Sequence, residues 1–310
     1  MMKKLDWLTS ECAPELFPMR ILQGTYLLPE NKMKSIPCGP VLCNGWGNLG
    51  MTVLGDNEPE FLPEGIVVTW YSFVEDVFYK GEFKFDDKLF THFEKGFDNP
   101  NSQKREQFQY VLVGLGPLGQ LNIWLYGEGV VKLVYSFFAN KIQIDWKSVE
   151  GIGARNRAQY RTEVIDKRLN ENSKEKLSRI KDHQRFWSKL QTKFPIEFTF
   201  LLPAQFTYAL IKFTNGEKLY FNESSIRLEE SSIPEMFLIN WTDFAGVSFQ
   251  TKFELHTDEL YGGISLMKKT TELVQLLIEI HTPVVNSKVC LINETEYLSL
   301  RKIRIKHYQK

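Results

Sequence analysis

Apolar and polar residues alternate with a period of two along most of this chain, the spacing that sets one face of a strand against a core. IVVTWYSF (66–73) and VFYKGEFKF (77–85) flank Val74-Glu75-Asp76, an acidic connection of hairpin length. Further strands are predicted at 108–114, 120–126, 130–138 and 140–146, separated by Gly, Asn or Asp. Between Arg155 and Lys193 the texture changes. That segment has no glycine or proline and is filled with good helix formers. Asn172, with Glu175 three residues on, resembles a capping box at the start of a second helix, from which Leu177, Ile180, Trp187 and Leu190 line one face. After Pro195 the strand pattern resumes. TYALIKF and KLYFNE are joined by Thr214-Asn215-Gly216-Glu217, and Asn-Gly between strands is a strong hairpin signal.

The two strand-rich regions also match each other. At an offset of 171 residues Pro63-Glu64 falls on Pro234-Glu235, Trp70 on Trp241, Phe73 on Phe244, Phe78 on Phe249, and Leu89-Phe90 on Leu260-Tyr261. A turn holding Pro117 in the first region corresponds to one holding Thr282-Pro283 in the second. The expected fold is therefore α+β and mainly antiparallel, built as two diverged copies of one β-rich unit with short helices near 86–95 and 257–270. The expected organisation is a first unit over 1–152, a helical connector over 153–195 and a second unit over 196–310.

FQYVLVGLGPLGQLNIWLYG (108–127) contains the G-x-G-x-x-G spacing of a dinucleotide cradle. In such a cradle the third glycine opens a helix whose N-terminal amides receive the pyrophosphate. Here Leu121, Ile123 and Leu125 alternate with Asn122, Trp124 and Tyr126, so a strand follows instead. The motif reads as a glycine-rich turn between two antiparallel strands.

Composition narrows the function classes. Of 310 residues 43% are hydrophobic and 14% aromatic, enough for a large core. Thirty-eight basic residues balance 38 acidic ones, so no global field recruits nucleic acid or an anionic membrane. No apolar window approaches the length of a membrane-spanning helix. MMKKLDWLTSEC lacks the apolar stretch of a signal peptide and the small residues of a lipoprotein cleavage site, so a cytoplasmic location is expected. Four cysteines in such a chain read as free thiols.

Candidate chemistry is sparse. Cys38 and Cys43 are spaced C-x4-C with no second ligand pair nearby, and the five histidines form no ligand motif, so neither a metal nor a cofactor is expected. Glu75-Asp76 are a carboxylate pair for acid–base work or cation binding, or solvated turn residues. Trp46, among the glycines of Asn44-Gly45-Trp46-Gly47-Asn48, is a candidate exposed binding aromatic, or folds back over a sheet edge. Arg155, Arg157 and Arg161 open a segment with twelve Lys/Arg against five acids over 155–193, suited to an acidic protein partner or to plain solvated helix faces.

DWLTSECAPELFPMRILQG, IPCGPVLCNGWG, IVVTWYSFVEDVFYKGEF, VLVGLGPLGQLNIWLYG, the helix RTEVIDKRL…RFWSKLQTKF and IKFTNGEKLYF occur in that order. Over nearly the whole chain they resemble the bacterial family known as domain of unknown function 2931. The likeness rests on aromatic and glycine patterns rather than on a catalytic signature. Many members begin with lipoprotein signals, which this sequence departs from. The resemblance implies no established activity and carries no catalytic role onto any position. The expectation is a non-catalytic binding protein with a protein partner, an immunity-type protein that neutralises a toxin being one form of it. The alternatives are a hydrolase whose acids and histidines assemble only in three dimensions, and a small-ligand or glycan binder using Trp46.

Overall fold

The structure, a computed structural model, describes residues 4–52, 58–202, 204–269, 272–281 and 284–310. Strands take 46% and helices 20% of the residues and the sheets are mostly antiparallel, so the fold is α+β and rich in β. Two compact units are present. One is Met1–Phe97 with Arg105–Trp187, the other Asp98–Lys104 with Ser188–Lys310.

Unit 1 begins with β1 (Leu8–Cys12), β2 (Met19–Leu27), β3 (Met33–Ser35) and β4 (Val41–Leu42). The hairpin β5 (Gly65–Ser72) and β6 (Val77–Lys84) leads into helix α1 (Lys88–Lys95). The short strands β7 (Phe97–Asn99) and β8 (Lys104–Glu106) mark the excursion to unit 2. Then follow β9 (Tyr110–Leu115), β10 (Gln120–Tyr126), β11 (Val131–Phe138) and β12 (Asn140–Ile142). Helices α2 (Arg157–Arg168), α3 (Glu171–Arg179) and α4 (His183–Gln191) complete the segment, and the unit ends inside α4.

One sheet of unit 1 runs β1-β9-β10-β11, with β1 parallel to β9 and the other neighbours antiparallel. The other runs β12-β6-β5-β2-β3, with β4 also on β2. Gln120 to Leu125 are all buried, so β10 is covered on both faces and its polar residues Gln120 and Asn122 lie inside. A second cluster, Tyr71, Phe73, Phe78, Tyr160 and Val164, seats α2 against the β5–β6 hairpin. The helix starts follow side-chain caps. Asn156 accepts the Gln159 N–H at 3.0 Å and Asn170 the Ser173 N–H at 2.8 Å. The cap of α3 is therefore Asn170 and not Asn172, because buried Leu169 ends α2 and Asn170 is the next residue able to accept.

Unit 2 contains β13 (Lys193–Leu201), β14 (Gln205–Phe213), β15 (Lys218–Phe221), β16 (Ser225–Ser232), β17 (Pro234–Thr242) and β18 (Ser248–Leu255). Helix α5 (Thr257–Met267), β19 (Val274–Glu279), β20 (Lys288–Ile292), β21 (Tyr297–Ser299) and β22 (Ile303–Gln309) follow. Its strands order as β15-β14-β17-β18-β22 and as β16-β13-β19-β20-β21, with β13 parallel to β19. Phe198, Phe213, Phe237 and Phe253 meet Leu260 and Ile264 of α5 in the core between them. The Asn215-Gly216 hairpin joins β14 to β15 as predicted. Thr282 and Pro283 lie outside the described residues. Among the described residues no helix is long and apolar enough to cross a membrane.

Candidate functional site

The acidic turn between β5 and β6 is where several of the sequence features meet. Glu75 bends back over its own hairpin. Its carboxylate accepts the Ser72 hydroxyl at 2.8 Å, the Tyr79 hydroxyl at 3.0 Å and the backbone N–H of Leu118 at 3.0 Å. Leu118 lies inside the G-x-G-x-x-G stretch and has a left-handed φ of 61°. The glycine-rich turn thus offers an amide to a protein carboxylate. Burial, then Glu75, pushes the Tyr79 phenol above its ordinary range.

Asp76 faces α2. Its side chain accepts Arg157 Nε at 2.8 Å and the Tyr71 hydroxyl, and its carbonyl accepts Arg157 Nη2 at 2.8 Å. The Arg157 guanidinium also lies 5.2 Å from the Phe78 ring and 5.7 Å from that of Trp146. Burial, with the hydrogen bond to Asp76, holds the Tyr71 phenol up to about 12. Arg161, one turn on, donates to the carbonyls of Phe73 at 2.6 Å and Val74 at 3.1 Å. Arg155 pairs with Glu163 and lies 4.4 Å over the Tyr160 ring. Asp76, Arg157 and Arg161 are therefore gathered at one corner beside Glu75, where Arg157 and Arg161 bind α2 to the turn, while Arg155 finds its partners on α2 itself. All three arginines have partners within the fold, which is a structural use of a basic segment.

Trp46 is 7% exposed, which fits the second of its two readings, a ring folded inward, rather than a loop aromatic offered to solvent. Its ring packs edge-on against Trp124 (4.8 Å) and Trp187 (5.2 Å). Asn44 folds its loop inward by accepting the Ala13 N–H and donating to the Glu11 and Asn48 carbonyls. The first glycines of the motif give these rings room. A Cβ on Gly114 would overlap the Trp124 ring and stand 2.9 Å from Trp46, and one on Gly116 would stand 3.0 Å from Trp187. Gly119 is needed for another reason, its φ of +78°.

A cavity of about 700 Å³ opens elsewhere on unit 1. Leu27, Leu28, Phe61, Leu62, Leu89 and Phe90 give it an apolar floor, and Lys32, Glu64, Lys84, Asp86 and Asp87 stand around it. Glu30 holds Lys32 at 2.7 Å. The Asp86 carboxylate accepts the Tyr135 hydroxyl at 2.7 Å and the Lys88 N–H at 3.0 Å, which keep it below the ordinary aspartate range. Neither Glu75, Asp76 nor any histidine lines this space. Among the described residues no group of three His, Cys, Asp or Glu side chains could hold a metal. The four cysteines are unpaired thiols, Cys12 and Cys290 buried.

Residues 1–184 match the family described as protein of unknown function (DUF2931), which is more than half of the chain. The chain belongs to the DUF2931 family. No curated protein and no solved structure matches it. In this DUF2931 protein the match contains the whole β5–β6 corner and the cavity, and it stops inside α4. The likeness read at IKFTNGEKLYF lies beyond the matched region.

In this DUF2931 protein the convergence of the cavity residues leaves no local trace in the sequence. Leu-Pro-Glu at 62–64 and Asp86-Asp87 before α1 look like ordinary turn residues, and nothing local says that they converge with Leu27 and Phe61. Glu11 did carry a signal, as a carboxylate in the strand LTSEC, of which Thr9 to Cys12 are buried.

Proposed function

We propose that this protein is a non-catalytic binding protein and that the cavity on unit 1 receives an apolar group of its ligand. The cavity's size and make-up carry the reading. About 700 Å³ is the scale of a small-molecule or side-chain pocket, and an apolar floor with a few polar groups at the rim suits binding. The lining has no Ser, Thr, Cys, His or Tyr to pair as nucleophile and base, and Asp86 is held ionised by its donors. At the β5–β6 corner the acids are tied into hydrogen bonds that build the hairpin, which also favours binding over hydrolysis. A protein partner would insert a side chain here, and a small ligand its hydrocarbon body.

A panel of aryl and alkyl amines, amides and carboxylates screened by saturation-transfer NMR tests this. Saturable binding of at least one class is expected, weakened about tenfold in Phe61→Ala, which removes one wall, with the circular dichroism spectrum unchanged. Absence of binding, equal binding by Phe61→Ala, or turnover of a panel member would each defeat the proposal.

We also read the chain as two diverged copies of one β-rich unit. The support is a recurring order of pairings. In one half β1 lies parallel to β9, β2 pairs with β5, the β5–β6 hairpin precedes α1, and β9 leads to β10 and β11. In the other β13 lies parallel to β19, β14 pairs with β17, the β17–β18 hairpin precedes α5, and β19 leads to β20 and β21. Divergence is visible where Phe73 is fully buried and its counterpart Phe244 is 93% exposed.

A further inference from the structure

We propose that β22, the edge strand of unit 2, is a docking edge for an acidic, extended segment of a partner protein, which adds to the sheet as a further strand. β22 ends the order β15-β14-β17-β18-β22, and Arg304 and Lys306 to Gln309 are exposed. A strand in that position leaves half of its N–H and C=O groups facing outward, ready to pair with another extended chain.

Charge selects what pairs. From Tyr297 to Lys310 the chain carries five Lys/Arg and no Asp or Glu, although the whole protein is neutral. Arg304, Lys306 and Tyr308 alternate along one face of β22. The carboxylate opposite them on β18, Glu254, is already held by Lys252 at 2.5 Å and reaches Arg304 only at 3.6 Å. Among the described residues Lys306 has no ion pair. Lys252, Arg304 and Lys306 share the one carboxylate of Glu254, so an incoming strand meets an excess of positive charge on this face.

The other face sets a different demand. Ile303 and Ile305 are half-buried against the unit 2 core, and the His307 ring stacks on Phe249 at 5.2 Å. Apolar side chains of an added strand would extend this layer. The matching segment thus alternates carboxylate and apolar residues, acids beside Arg304 and Lys306, hydrophobes beside Ile303 and Ile305. A second copy of this chain fits poorly, because two antiparallel β22 edges would set like cations against each other. Basic residues on an edge commonly repel unwanted strands. Here the same residues leave the edge open to an acidic one, so discrimination and recognition come from one set of charges.

Fluorescence anisotropy on the full chain tests this with a labelled peptide of about eight residues alternating Glu and Val, a usual strand length. Saturable binding is expected, and a Lys/Val peptide should not bind. Arg304→Gln/Lys306→Gln should weaken binding at least tenfold, and Lys306→Ala by a smaller factor, with the circular dichroism spectrum unchanged. N-methylation at alternate Glu/Val peptide bonds should abolish it by removing the strand's donors. Equal binding of the N-methylated peptide would overturn strand addition in favour of plain charge attraction. Tighter binding of oligothymidylate, lost in the same variants, would assign the strip to nucleic acid instead. No binding of the Glu/Val peptide, or no loss in the variants, would also overturn it. The cavity lies in unit 1, so Phe61→Ala should leave this binding intact, which separates failure here from failure there.

Discussion

Glu11 sits in β1 with its carboxyl group enclosed. Oε1 accepts the Met51 N–H at 3.0 Å, while Oε2 is buried and has no hydrogen-bond partner among the described residues. Burial outweighs the Met51 donor and raises the carboxyl to about 7 from an ordinary 4.5. The folded protein therefore holds this proton more tightly than the unfolded chain does. Its stabilising share is fully present below about pH 4.5 and is lost as pH rises toward about 7. Glu11→Gln, which keeps an acceptor for Met51 and removes the charge, should be more stable than the native chain at pH 8 by about 1–3 kcal/mol. The advantage should shrink at acidic pH, as read by melting temperature across a pH series. A constant difference would contradict a buried carboxylate. The side chain's position in an otherwise buried strand could be read from the sequence. The surroundings of its carboxyl group could not, because they depend on how the 44–51 loop closes over β1.

At the scale of elements, the β5–β6 hairpin and the segment that becomes α2 are both visible as patterns, but what joins them is not. Arg161 and Arg157 reach back more than eighty residues to the carbonyls and carboxylate of the turn. A count of charges along 155–193 sees only a basic helix. Arg161→Leu should cost about 1–3 kcal/mol in urea denaturation, since it strands the carbonyls of the buried residues Phe73 and Val74. Arg161→Lys should recover part of that loss, one ammonium being unable to reproduce the planar fork. The glycine motif follows the same logic. Period-two alternation after Gly119 correctly indicated a strand, whereas two of the three tryptophans that crowd Gly114 and Gly116 come from elsewhere in the chain, Trp46 from a loop and Trp187 from α4, and only Trp124 from the neighbouring strand β10.

Across the whole molecule, the fold class was legible because strand periodicity needs only neighbours along the chain. The cavity was not, since its walls are brought together from residues 27–33, 61–64 and 84–90 by β2, β5 and α1. The family match likewise ends short of a structural boundary. Trp187, three residues past it, is 3% exposed and packs on Phe17 at 5.8 Å and Trp46 at 5.2 Å while its Nε1 donates to Gln120. Trp187→Ala should lower stability by about 3–5 kcal/mol in denaturant titration, a loss far above that of an ordinary helix-surface residue. The crossed indoles of Trp46, Trp124 and Trp187 also have an optical consequence. Rings held edge-on at 4.8 and 5.2 Å are close enough to couple their intense far-ultraviolet transitions, so Trp46→Phe should remove an excitonic contribution from the circular dichroism of this protein. The part lost in that variant would report on the interior of unit 1 in solution without any label.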